Sequence, residues 1–154
     1  MKPVEKTLLI IGCCFAAVIL VGVLALGVWL VSGPESGVKL GNEMDQYALD
    51  YMARHDMLKP GEEVLAYYDV TMAMDGTEAA ILTSDRVIYH KEGNTTWITV
   101  QDIEDVRHRY ETLIGDVIEI QSSSGRFMKI EIAPLNSGET FLRVLMSRWE
   151  KANE

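Results

Sequence analysis

From Leu8 to Val31 the chain runs for twenty-four residues without an Asp, Glu, Lys, Arg or His. Nothing else in the sequence restricts the fold so strongly, because a stretch this long and this apolar cannot remain in water as a loop. As a helix rising about 1.5 Å per residue it would reach roughly 36 Å, enough to cross a hydrocarbon core ~30 Å thick with some tilt. The expectation is a single transmembrane helix over 8–31, an anchor bounded by Leu8 and Val31. Trp29 would rest at one interface, and Gly33-Pro34 would end the helix. Such a span predicts a single-pass protein of an inner or plasma membrane.

The flanks give the expected orientation. Lys2, Lys6 and the terminal amine precede the span, and only Lys39 follows it closely. The positive-inside rule then makes residues 1–7 a cytoplasmic flank and puts the rest on the extracytoplasmic, periplasmic side, with the cytoplasmic side as the alternative. Ile10-Ile11-Gly12-Cys13 has the look of a lipidation signal, but only Leu8 to Gly12 separate Thr7 from Cys13, and apolar sequence continues well beyond it. A signal-peptide apolar region runs about 7–15 residues before cleavage, so a retained helix is expected, with Cys13 and Cys14 as small apolar residues. Gly12 and Ala16 make a small-xxx-small pair, a candidate helix–helix packing face. With both cysteines in the span, the remainder carries no disulfide.

Residues 32–42 hold three glycines and a proline and read as a flexible linker. Over 43–58, Met44, Tyr47, Ala48, Tyr51, Met52 and Leu58 recur at three- and four-residue spacing, which predicts an amphipathic helix packing on the domain of residues 59–154. Removing Lys2, Lys6 and Glu5 from the totals of 14 basic and 23 acidic residues leaves 12 and 22, a net charge of −10 beyond the anchor. That surface argues against nucleic acid and against anionic lipid headgroups, both of which favour basic patches.

From Glu62 to Ala133 the period changes to two, with a turn signal every eight to twelve residues. Seven strands are expected, at Glu63–Val70, Glu78–Thr83, Arg86–Lys91, Thr95–Val100, Ile103–Tyr110, Asp116–Ser122 and Phe127–Ala133. In the last, Met128, Ile130 and Ile132 alternate with Lys129 and Glu131, which predicts a sheet covered on one face. After Pro134, Asn136 and Glu139 have capping-box spacing, and Phe141, Leu142, Leu145 and Trp149 form the apolar stripe of a closing helix.

The stretches Leu58-Lys59-Pro60-Gly61-Glu62, Ile81-Leu82-Thr83-Ser84-Asp85-Arg86-Val87-Ile88-Tyr89 and Thr99-Val100-Gln101-Asp102-Ile103-Glu104-Asp105-Val106, with Gly125, Phe127 and the closing helix, resemble the bacterial branch of the pleckstrin-homology-like (PH-like) domains and the related GRAM-type domains. The resemblance covers about residues 57–150. It implies a mainly β fold, a seven-stranded antiparallel barrel or sandwich closed by a C-terminal helix. It also implies a membrane-associated binding or scaffold module without catalysis or cofactor. Eukaryotic relatives read phosphoinositides through a basic first loop, whereas here Met72 to Glu78 has two acids and no base. Lipid headgroup recognition is not carried over.

Little in the chain points to chemistry. His55, His90 and His108 have no ligand spacing, so no metal site is expected. No Gly-rich phosphate loop occurs, and Ser122-Ser123-Ser124-Gly125 is a hairpin turn without a nucleophile elbow. Asp102, Glu104 and Asp105 beside Arg107 and Arg109 read as a solvated face with local ion pairs. The candidates for partner contact are Trp97, an aromatic able to supply interface area, and a basic strip of Arg107, Arg109 and Arg126. The expected function is a membrane-anchored accessory or regulatory scaffold contacting a membrane protein or complex, by sheet-edge addition or in a groove beside the last helix. A membrane-surface sensor and an enzyme are the alternatives.

Overall fold

The computed structural model describes residues 15–24, 37–71 and 73–154. The chain divides into two compact units, Met1–Glu35 and Ser36–Glu154. In the first, residues 15–24 form helix α1. The expectation of a transmembrane helix is corrected here. No helix among the described residues is long and apolar enough to cross a membrane. At about 1.5 Å per residue, the described helix covers only about half of a hydrocarbon core. Ala16 lies in α1, and Leu8, Gly12, Cys13, Trp29 and Val31 lie outside the described residues.

The described residues of the second unit form eight strands, β1 (Lys39–Leu40), β2 (Val64–Asp69), β3 (Glu78–Thr83), β4 (Arg86–Lys91), β5 (Asn94–Thr99), β6 (Ile103–Glu111), β7 (Gly115–Ser122) and β8 (Phe127–Ile132). Helix α2 spans Gln46–Arg54 and α3 spans Gly138–Ala152. The seven-stranded barrel is likewise corrected: the strands form two separate antiparallel sheets, ordered β1-β2-β3-β4-β5 and β6-β7-β8, and no closed barrel. A 3-10 turn at Val100–Asp102 interrupts the chain between β5 and β6, so the two sheets share a corner without sharing a ladder. The extra strand, β1, falls in the expected linker, where Lys39 and Leu40 pair with Tyr67 and Ala66.

The five-stranded sheet is buried on both faces over β2, β3 and β4. Inward, Ala66, Tyr68, Ala80, Leu82, Val87 and Ile98 meet Ile118, Ile120, Met128, Ile130 and Ile132 of the smaller sheet, with Phe141 and Leu145 of α3 closing the core. Outward, Tyr67, Ala79, Ile81 and Ile88 lie under Ala48 and Met52 of α2, with Met57 beside them. This explains the unbroken apolar run Ala79–Leu82, which one-sided alternation does not. Each fully buried Ile or Leu contributes about 1.5–3 kcal/mol, so the two-layer cover is the main source of stability. In the smaller sheet β8 does alternate, with Met128, Ile130 and Ile132 inward and Lys129 outward.

Helix α3 ties the sheets together. Beyond its apolar stripe, Arg148 Nε donates to the Ser84 carbonyl at 2.6 Å, and Trp149 Nε1 donates to the Ile103 carbonyl at 3.0 Å. The expected capping box is absent. Helix α3 starts after Ser137, which sits at φ 61°, and the Asn136 side chain instead donates to the Tyr68 hydroxyl at 3.2 Å.

Candidate partner-binding site

Arg86 opens β4 after the tight turn Ser84-Asp85, where the Thr83 hydroxyl accepts its N–H at 3.0 Å. Side-chain alternation puts Arg86 on the outer face of the sheet, beyond the part that α2 covers. A guanidinium there is buried, its side chain only 9% exposed, and must be neutralised and hydrogen-bonded. Glu62 does both. Arg86 Nε and Nη2 donate to its two carboxylate oxygens at 2.8 and 3.0 Å, and Nη2 also donates to the Met57 carbonyl at 2.9 Å. The Lys59 N–H and the Thr83 hydroxyl complete the carboxylate's shell at 2.8 and 2.6 Å. Burial alone would raise the Glu62 pKa, but the hydrogen bonds from Arg86, Lys59 and Thr83 hold it at about 2.

Trp97 on β5 stands opposite Ile88, and its ring lies over Arg86, with the guanidinium carbon 5.5 Å from the ring centroid. That is cation–π range, worth about 0.5–1 kcal/mol at a partly exposed position. The indole is nonetheless 43% exposed. Strand β5 ends its sheet, so one of its edges carries no ladder. In the two-residue hairpin closed by Lys91 and Asn94, alternation turns the peptide groups of Thr95 and Trp97 away from β4. The outward Trp97 carbonyl accepts from Arg126 Nη1 at 3.1 Å. Phe127, the next residue, is 62% exposed.

Trp97 and Arg126 are therefore brought together, and the other two predicted contact residues are not. Arg107 donates to Asp105 at 2.7 Å, and Arg109 donates to Glu111 at 2.7 Å and Glu119 at 2.6 Å. Both lie on the outer face of the smaller sheet, neutralised by their own neighbours, and no continuous basic strip forms.

Beside Arg86 a cavity of about 200 Å³, open to solvent, is lined by Lys59, Asp85, Arg86, Thr99, Gln101 and Arg148. These residues come from four separate segments. Spacing along the chain gives no signal for such a site.

A second polar cluster pins α2 to the sheet. Tyr51 Oη and His90 Nε2 are 3.1 Å apart, His90 Nδ1 is 2.9 Å from Thr95 Oγ1, and the His55 ring stacks on Tyr51 at 4.3 Å. Burial, then the neighbouring His55, lowers the pKa of His90 and keeps its ring neutral. Asp69 accepts from Tyr47 at 3.1 Å and from the Gly76 N–H at 2.9 Å, and burial followed by this carboxylate raises the Tyr47 pKa. His108 instead meets Asp116 at 2.7 Å. Among the described residues no group of His, Cys, Asp and Glu could hold a metal ion.

No family model matches the chain, and no curated protein matches it. Among solved structures it is similar to the C-terminal domain of an unknown protein from Leishmania infantum, at 14% identity and a TM-score of 0.50, over 66% of this chain and 95% of that one. The likeness is one of fold alone, and it does not show a PH-like or GRAM-type domain.

Proposed function

We propose that the chain is a non-catalytic binding module, an accessory or regulatory subunit whose partner is a protein docking along the open edge of β5 around Trp97. The observation that carries this reading is an exposed tryptophan on a strand with one open edge, held from behind by a buried arginine. A rigid aromatic gives large contact area at small entropic cost, and an open strand edge offers backbone donors and acceptors to an extended segment. The Thr95 and Trp97 peptide groups would pair with that segment, whose N–H takes the place of Arg126 on the Trp97 carbonyl. The polar groups of the domain support a structural assignment elsewhere: no buried side-chain nitrogen or oxygen among the described residues lacks a partner.

The test is site-specific photo-crosslinking in cells, with the reactive residue at exposed Asn94 on β5 or, as control, at exposed Arg143 on α3. A discrete protein adduct is expected at 94 and not at 143, and Trp97→Ala in the same chain should reduce it about tenfold or more. Equal adducts at both positions, or an adduct indifferent to Trp97→Ala, would overturn the reading.

A further inference from the structure

We propose that the cavity between Lys59, Arg86 and Arg148 is a binding site for a monoanionic carboxylate group. This goes beyond docking at β5 and does not depend on it. The first ground is Arg86. Its Nε and Nη2 are spent on Glu62 and the Met57 carbonyl, while Nη1 donates to no described residue. Because no fully buried side-chain nitrogen among the described residues is left unpartnered, Nη1 keeps some contact with solvent, and Arg86 is one of the residues that line the cavity. Its N–H groups are held in a fixed plane by the Glu62 contacts, so a ligand meeting them finds donors already oriented.

The second ground is the cations. Lys59 and Arg148 take part in no ion pair among the described residues, although most basic residues of β4 to β8 do. Arg148 is anchored by Nε on the Ser84 carbonyl at 2.6 Å, which leaves its two terminal nitrogens available at the cavity. Thr99 and Gln101 add a hydroxyl and an amide. The wall is thus rich in donors from five side chains, and Asp85 is its one acid.

Charge selects among oxyanions. Glu62 cancels Arg86, and Asp85 offsets one of Lys59 and Arg148, so the site has a single net positive charge in a domain that is otherwise strongly acidic. One negative charge is matched there, and a dianionic phosphate is opposed by the surrounding field. The carboxylate can come from a free small acid or from the carboxyl terminus of a peptide.

Both sources are tested by titrating the full ¹⁵N-labelled chain at pH 8 and constant ionic strength, set with chloride. The probes are acetate, inorganic phosphate, N-acetyl-alanyl-valine and the carboxamide of that dipeptide. Acetate should shift the Gln101 side-chain amide and the Ser84 and Asp85 backbone amides saturably, with an affinity of roughly millimolar order, and phosphate should bind more weakly. A free-carboxyl dipeptide about tenfold tighter than acetate, with its carboxamide inert, identifies a peptide terminus as the source; equal affinities identify free acids. Lys59→Gln and Gln101→Glu change exposed side chains and should abolish the shifts without altering the rest of the spectrum. Shifts that never saturate, that persist in both variants, or that are larger with phosphate would overturn the proposal.

Discussion

Replacing Glu62 by Gln tests the reasoning about Arg86 most directly. The side chain keeps its volume and still accepts from one Arg86 nitrogen, but it turns an NH2 toward the other and leaves a buried guanidinium without its counter-charge. The carboxyl is held at about 2 against an ordinary 4.5. At 1.36 kcal/mol per pH unit the folded state favours the ionised form by about 3 kcal/mol. Removing one member of a buried pair costs about 3–5 kcal/mol by a separate route, so the two scales agree. Because the folded carboxyl stays ionised to lower pH than the unfolded one, this stabilisation is complete above pH 4.5 and is lost as the pH falls toward about 2. Urea unfolding of the wild type and Glu62→Gln at neutral pH should differ by about 3 kcal/mol, and the difference should shrink through that window. A difference under about 1 kcal/mol at neutral pH, or one unchanged at acid pH, would refute the account. Glu62→Leu with Arg86→Met should cost less than Glu62→Gln alone, because no charge is then left buried.

Other perturbations follow from the same structure. His90 is held neutral between Tyr51, Thr95 and His55, with its pKa below 6.5, so the unfolded chain binds the extra proton first. Stability should therefore fall as the pH drops below about 6.5, and comparing melts of His90→Gln with wild type should show that part of the slope removed. Gly115 has φ +98°, and a Cβ there would lie 2.1 Å from the Ile132 carbonyl oxygen, so Gly115→Ala should cost about 3 kcal/mol or more in chemical denaturation. Asp69→Ala strips the acceptor from Tyr47, Thr71 and Gly76 together and should cost about 2–4 kcal/mol, with faster amide exchange in α2 preceding global unfolding.

The β strands were largely legible. The limits of β3 and β4 match those expected from alternation around Ser84-Asp85, because a two-residue turn and a period of two are local properties. What the sequence obscured was pairing and company. Lys39-Leu40 becomes a strand only because β2 offers it an edge, and nothing in a Gly-rich stretch announces that. The second layer over the larger sheet was legible as the amphipathic spacing of residues 43–58, but the strands it covers showed themselves only as the unbroken run from Ala79 to Leu82. Asn136 and Glu139 have the spacing of a capping box, yet a tertiary bond to Tyr68 takes the asparagine. Arg107 and Arg109 pair with Asp105 and Glu111 two residues away on their own strand, so those pairs were legible locally, whereas the Arg109–Glu119 contact across to β7 became visible only with the register. The cavity residues Lys59, Arg86 and Arg148 meet through the fold and share no motif.

The two-sided grip of α3 also sets an order of events during synthesis. The inner faces of both sheets are complete once β8 has left the ribosome, but Phe141 and Leu145 fill the space between them and Arg148 and Trp149 hold one sheet each. Until Gly138–Ala152 emerges, the nascent chain presents Ile118, Ile120 and Ile130 with their cover missing. The core of the domain is therefore incomplete until this helix is available, and its folding waits on it. A stalled chain ending near Pro134 should be a substrate for chaperones that recognise exposed aliphatic strands.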